Sequence, residues 1–180
     1  PLVPDGVAFT PYLAAVEDGI VVTSASKAYN LAGLKAGVII GGGAARGLLD
    51  ELPESVAYGA STFGVRAHIA AWDGGDAWLA AVNANIRTNV AYVEDLLARA
   101  VPGAGWWAPA STYLAWIDCR GLGLGEQPAA ELLARGRVAL SDGLPFGAVG
   151  AGFVRMNLAA SRATLAEAVA RMASTVAPEP

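Results

Sequence analysis

The sequence predicts an α/β fold: two strands, a long helix, and then a small sheet covered by helices. Two short β-branched runs, at residues 20–23 and 36–40, bracket a polar turn. One apolar stripe, Leu79, Val82, Ile86, Val90, Val93 and Leu97, recurs at alternating three- and four-residue intervals and marks a helix of roughly twenty residues. Beyond it the chain turns strand-like again. A boundary inside the long helix divides the chain into domains at residues 1–82 and 83–180.

The elements follow in order. Ile20-Val21-Val22-Thr23 has the continuous apolar character of a buried strand, and Ala36 to Ile40 gives a second. Ser61 to Trp72 is Ala-rich with helix-compatible spacing and is ended by Gly74-Gly75, after which Asp76 is placed to cap the long helix. Val101-Pro102-Gly103-Ala104-Gly105 breaks that helix, and Ser111 to Asp118 is aromatic and β-branched enough for a strand. A helix over Pro128 to Arg135, a short strand over Val138 to Leu140 and a Gly/Pro-rich loop from Ser141 to Gly152 come next. Phe153 to Leu158 reads as a strand, and a final helix carries Leu165, Val169 and Met172 on one face. The opening Pro1 to Gly6 has no helix or strand signature and no initiator Met, so a processed or truncated product is expected.

Composition narrows the function. An apolar fraction of 54% supports a real core, and a net charge of −4 with scattered arginines argues against a nucleic-acid partner. Charged residues, Gly or Pro interrupt every apolar run, so no membrane partner is expected. Cys119 is the only cysteine and His68 the only histidine, which excludes an internal disulfide and a zinc site of ordinary spacing; a cytoplasmic location is the expectation.

Both lysines, Lys27 and Lys35, fall in the stretch Thr23-Ser24-Ala25-Ser26-Lys27-Ala28-Tyr29-Asn30-Leu31-Ala32-Gly33-Leu34-Lys35, while ten arginines carry the remaining positive charge. A guanidinium keeps its proton, whereas a lysine amine can lose it and then act as a base or bond to a carbonyl. A polar turn at a strand end can offer a hydroxyl to a phosphate and an amine to a carbonyl.

This stretch resembles the cofactor-lysine signature of the fold-type I pyridoxal-phosphate enzymes of the class I/II aminotransferase family, in which Ser-x-Ser-Lys precedes Gly-Leu and a cation. Three further matches follow in order: His68-Ile69-Ala70-Ala71-Trp72 with Trp78-Leu79, the Pro109 to Asp118 block, and Gly152-Phe153-Val154-Arg155-Met156-Asn157-Leu158. The resemblance runs from about residue 20 to 173. It implies that Lys27 bonds the aldehyde of pyridoxal 5'-phosphate and removes the Cα proton, that Ser24 binds the phosphate, and that Lys35 takes a phosphate-contact position where the family often has arginine. Arg155 would grip the substrate α-carboxylate with its planar fork.

Within the family, the Ser-Lys-x-Tyr-Asn-x-x-Gly-Leu, His-Ile-Ala-Ala and Ser-Thr-Tyr-Leu-Ala-Trp blocks look most like the bacterial C–S β-lyase branch, of cystathionine β-lyase type. An aminotransferase is the close alternative. A non-catalytic interaction or regulatory module built on the same fold is the alternative of another class. The resemblance also implies a homodimer, an amino-acid substrate, and cofactor contacts upstream of Lys27. Asp5 and Asp18, the only earlier aspartates, do not lie in the family's Asp-containing strand. The chain is therefore expected to be a C-terminal fragment, inactive alone, holding the end of the large domain and the whole small one.

Other residues have structural readings. His68 on its Ala-rich helix is a packing residue, Cys119 is buried and inert, and Trp106, Trp107 and Trp116 are core or interface aromatics of which one could line a substrate pocket. The run Gly41-Gly42-Gly43-Ala44-Ala45-Arg46-Gly47 suggests a dinucleotide fingerprint, but Arg46 stands where the third glycine is required. It reads as a strand-ending turn.

Overall fold

The computed structural model describes residues 2–3 and 6–177, so Pro1, Pro4 and Asp5 of the opening segment lie outside the described residues. The chain is α/β and divides into two compact units, Pro1–Ala81 and Val82–Pro180.

The first unit holds helix α1 (Tyr12–Ala15), strands β1 (Ile20–Thr23) and β2 (Val38–Gly41), helices α2 (Ala45–Asp50) and α3 (Thr62–Gly74), and the start of α4 (Asp76–Ala100). β1 and β2 pair antiparallel, with Ile20 opposite Gly41 and Thr23 opposite Val38. The expectation of a buried strand at 20–23 is corrected: Val22 is 74% exposed, and Ile20, Ile39 and Ile40 also face solvent. A continuous apolar run signals a strand made for covering on both faces. The ribbon has no third strand among the described residues, and α1 and α2 touch it without covering these side chains.

Ser61 caps α3 by accepting the Gly64 N–H at 3.2 Å. Gly75 alone separates α3 from α4, and Asp76 is the first helical residue rather than the cap, where its carboxylate still favours the positive helix end. The glycine run does make a turn, and Asp18 closes it by accepting the Ala44 N–H at 2.7 Å. α2 then begins within the run, an element the glycines concealed.

In the second unit, α4 continues to Ala100 and is followed by β3 (Gly105–Trp107), β4 (Leu114–Asp118), α5 (Pro128–Gly136), β5 (Ser141–Asp142), β6 (Phe153–Asn157) and α6 (Arg162–Val176). The sheet order is β3-β4-β6-β5, with every neighbouring pair antiparallel. Alternation puts Ala115, Ile117, Val154 and Met156 on one buried face. That face shares a core with Val93 and Leu97 of α4, Leu132 of α5, and Leu165, Val169 and Met172 of α6.

Two expectations shift here. Val138 to Leu140 is not a strand: after Arg137 turns left-handed at φ 54°, the Arg137 and Val138 amides donate to the carbonyls of Leu133 and Leu132. The amide of Val138 is thus committed to closing α5, and pairing starts only at Ser141. β3 occupies residues that looked like the tail of a helix break, because Gly105 lies at its first position opposite Asp118.

Cys119 is fully buried beside β4, and burial, helped by the nearby Asp118 carboxylate, pushes its thiol up to about 12. Cys119 in the native protein is accordingly expected not to react with a disulfide reagent such as Ellman's at neutral pH, and to react only on unfolding. Rapid labelling of Cys119 in the native state would contradict this burial.

Candidate active site

The lysine turn is built by local hydrogen bonds. Ser24 Oγ accepts the Ser26 N–H at 3.3 Å, Tyr29 N–H reaches Ala25 O at 3.0 Å, and Leu31 N–H reaches Ser26 O at 3.1 Å. Asn30, at φ 55°, ends this single helical turn, a conformation that Asn tolerates better than most residues. Ala25 and Ala28 point inward and are buried, which turns Lys27 outward into solvent. No hydrogen bond or ion pair engages the Lys27 amine among the described residues.

The connection is gripped where α3 begins. Lys35 O accepts the Ser61 N–H at 3.3 Å, and any side chain at Gly64 would run into the Leu34 carbonyl. At the α3–α4 junction, the Tyr29 ring stacks on Trp78 with centroids 5.9 Å apart, and Gly75 leaves room for that ring. His68 is buried in α3 with Nδ1 2.8 Å from Gly64 O, a brace within the helix, while its Nε2 is buried without a hydrogen-bond partner among the described residues.

Ser24 and Lys27 therefore share one turn. Lys35 lies at the far end of the same connection, exposed and in the left-handed region at φ 53°. Arg155 belongs to the second unit, on the outward face of β6, opposite Trp116 of β4 and Ser141 of β5. Its Nη2 donates to Ser141 Oγ at 3.3 Å, and its guanidinium carbon lies 4.8 Å from the centroid of the Phe146 ring. No carboxylate pairs with it among the described residues.

A second arginine on this face behaves differently. Arg120 makes a two-pronged pair with Asp118, through Nε at 2.9 Å and Nη2 at 2.7 Å, and these bonds hold the Asp118 carboxyl below its usual range. Its fork is already engaged. Trp116 sits between rings, edge-on to Phe146 at 5.5 Å and stacked on Phe153 at 5.6 Å, so it belongs to the outward face rather than the core. Ser141 and Phe146 did not stand out in the sequence, because they fall in a Gly/Pro-rich loop. The position of that loop directly before the Arg155 strand was the available signal.

The sequence model described as Aminotransferase class I and II matches residues 4–172. The chain belongs to the class I and II aminotransferase family. A Mycobacterium leprae member, provisionally named a cystathionine beta-lyase, is 41% identical over 96% of this chain and 46% of its own. A solved Corynebacterium diphtheriae structure, provisionally described as a PLP-dependent beta-cystathionase, superposes with a TM-score of 0.83 at 36% identity, covering 89% of this chain and 43% of the other. The PLP-bound C-S lyase of Staphylococcus hominis gives a TM-score of 0.86 at 27% identity over 97% of this chain and 47% of its own. The chain thus spans about half the length of these relatives, and its fold is the one they share. Among the described residues, no helix is long and apolar enough to cross a membrane.

Proposed function

We propose that the full-length protein is a pyridoxal-phosphate-dependent C–S β-lyase that cleaves a sulfur-bearing amino acid into a thiol, pyruvate and ammonia. The observation that carries this reading is the Lys27 turn: an exposed primary amine without a partner, three residues from Ser24 Oγ. Ser24 accepts one hydrogen bond from Ser26 and keeps its own O–H to donate. An amine for an aldehyde and a hydroxyl for a phosphate fit the two ends of that cofactor.

When bound, the cofactor supplies an aldehyde for amine exchange and a ring that takes up the electron pair left at Cα. Lys27 Nζ would hold the cofactor at its aldehyde end, and the same amine would take the substrate Cα proton. Ser24 Oγ would donate to the phosphate, and Lys35 would add a positive charge near it. Arg155 pairs its fork with the α-carboxylate. As the Cα proton leaves, the bond from Cβ to sulfur breaks with its electron pair going to sulfur, and water completes the conversion to pyruvate and ammonia.

On this reading, residues 1–82 are the end of a cofactor-binding domain and 83–180 a small domain. The protein works as a cytoplasmic homodimer on an amino-acid substrate. The names borne by the relatives favour the lyase over an aminotransferase. The test is to incubate the full-length protein with cystathionine and no keto acid, and to follow pyruvate. Pyruvate release is expected. Its absence, with turnover appearing only when a keto acid is added, would replace the lyase reading with transamination.

A further inference from the structure

The outward face of the second unit's sheet presents two arginines, and only one is free to bind an anion. Arg120 is held by both oxygens of Asp118. The Arg155 fork makes a single hydrogen bond, to Ser141 Oγ, and its Nε is buried with no partner. What fixes the rest of this side chain is an aromatic ring. Phe146 closes the short 3-10 turn Leu144–Phe146, and its ring lies under the guanidinium carbon at 4.8 Å.

The ring is itself fixed. Trp116 meets Phe146 edge-on at 5.5 Å, and Trp116 is the residue directly opposite Arg155 in the strand register. The turn is tied down by the Asp142 carboxylate, which accepts the Leu144 N–H at 3.0 Å, and by the Gly143 N–H, which reaches Phe153 O at 3.0 Å. Gly147, at φ 116°, ends the turn in a conformation that suits glycine, so the position of Phe146 is defined by backbone on both sides.

We propose that Phe146 is a positioning residue for Arg155, an inference that rests on reading Arg155 as the substrate carboxylate anchor. A cation over a ring is held through the face of the guanidinium, whereas a carboxylate is bound at its N–H edge. A ring therefore orients the fork without occupying the donors that the substrate needs. An acidic residue in the same place would occupy the fork, as Asp118 occupies that of Arg120. Ser141 adds a neutral acceptor at one nitrogen and leaves the charge uncompensated.

The experiment uses the full-length holoenzyme with an amino-acid substrate and the corresponding carboxamide. Phe146→Leu keeps apolar bulk and removes the ring face. Phe146 is 53% exposed, so the variant is expected to raise KM for the acid by about two- to fivefold, the range of a cation–π contact at an exposed site. The change should fall on KM rather than kcat and leave the carboxamide nearly unaffected. Phe146→Tyr, which keeps the ring, should restore the acid KM, and Phe146→Met serves if the leucine variant does not fold. Equal losses for acid and carboxamide, or no loss with the leucine, would overturn the positioning role. Arg155→Gln separates the two readings. If it leaves the preference for acid over carboxamide intact, Arg155 is not the anchor; if it erases that preference while Phe146→Leu preserves it, only the inference about Phe146 fails.

Discussion

Lys27→Ala in the full-length protein is expected to lower turnover by about four orders of magnitude, the upper end of what a positioned general base contributes. The upper end applies because, on the proposed function, the same amine would both anchor the cofactor and move the Cα proton, so one substitution would remove two functions. Lys27→Arg should not rescue it: a guanidinium keeps the charge but can neither give up its proton nor bond the aldehyde. Stability should change by no more than about 0.5 kcal/mol, because Lys27 is exposed and makes no contact that its loss would strand. Borohydride reduction followed by peptide mass mapping gives a readout besides activity. A pyridoxyl adduct on Lys27 is expected in the parent and none in the alanine variant. An adduct on Lys35, with Lys27 unlabelled, would move the reactive amine to the other end of the connection.

The lysine turn was legible from its setting. Both lysines fall in one polar stretch between two β-branched runs, and the structure sets Ser24 and Lys27 on a single turn after β1; the role proposed for Lys27 comes from the resemblance, since scarcity of lysine alone does not assign one. The β-branched runs locate β1 and β2, but Ile20, Val22, Ile39 and Ile40 on them are exposed. A run such as Ile20-Val21-Val22 reports that a strand is made to be covered, and nothing in the run says what covers it. The apolar stripe located α4 for the same kind of reason, since its period is that of the helix itself.

What stayed hidden depends on partners distant in sequence. Val138 to Leu140 has strand composition, yet its first amide is committed to closing α5, a competition that local pattern does not weigh. Phe146 matters through Arg155, nine residues later in the sequence and on a different element, so no spacing rule connects them. Asn89 was hidden in plain view. It lies on the apolar stripe between Ile86 and Val93, where a polar side chain signals a buried partner, and counting only the apolar members passed over it.

Asn89 carries the largest stability effect expected in the second unit. It is fully buried, and its Nδ2 donates to Leu158 O at 2.8 Å and to Ala160 O at 3.0 Å. These carbonyls belong to the chain just after β6, sixty-nine and seventy-one residues away, so one side chain ties α4 to the exit of the Arg155 strand. Asn89→Ala would leave the Leu158 carbonyl, itself in a fully buried residue, without its donor, and Asn89→Leu would do so while filling the space. Each stranded acceptor costs about 1–3 kcal/mol, so a loss of about 2–4 kcal/mol is expected for either variant, read as a lower urea midpoint of the full-length protein. Asn89→Asp sharpens the test through pH. It sets a carboxyl against two carbonyl oxygens, so the folded state favours the protonated acid and the folded pKa rises above the unfolded value of about 3.9. Below the unfolded value the acid is neutral in both states and can still donate one hydrogen bond. As pH rises from there to the folded pKa, the unfolded state ionises first and the folded state is progressively destabilised. The aspartate variant should therefore lose more stability at pH 7 than at pH 4, while the leucine variant shows no such added slope. If Asn89→Leu unfolds at the parent's midpoint, the two hydrogen bonds contribute nothing net, and the register of β6 and the placement of Arg155 rest on the core face of the sheet alone.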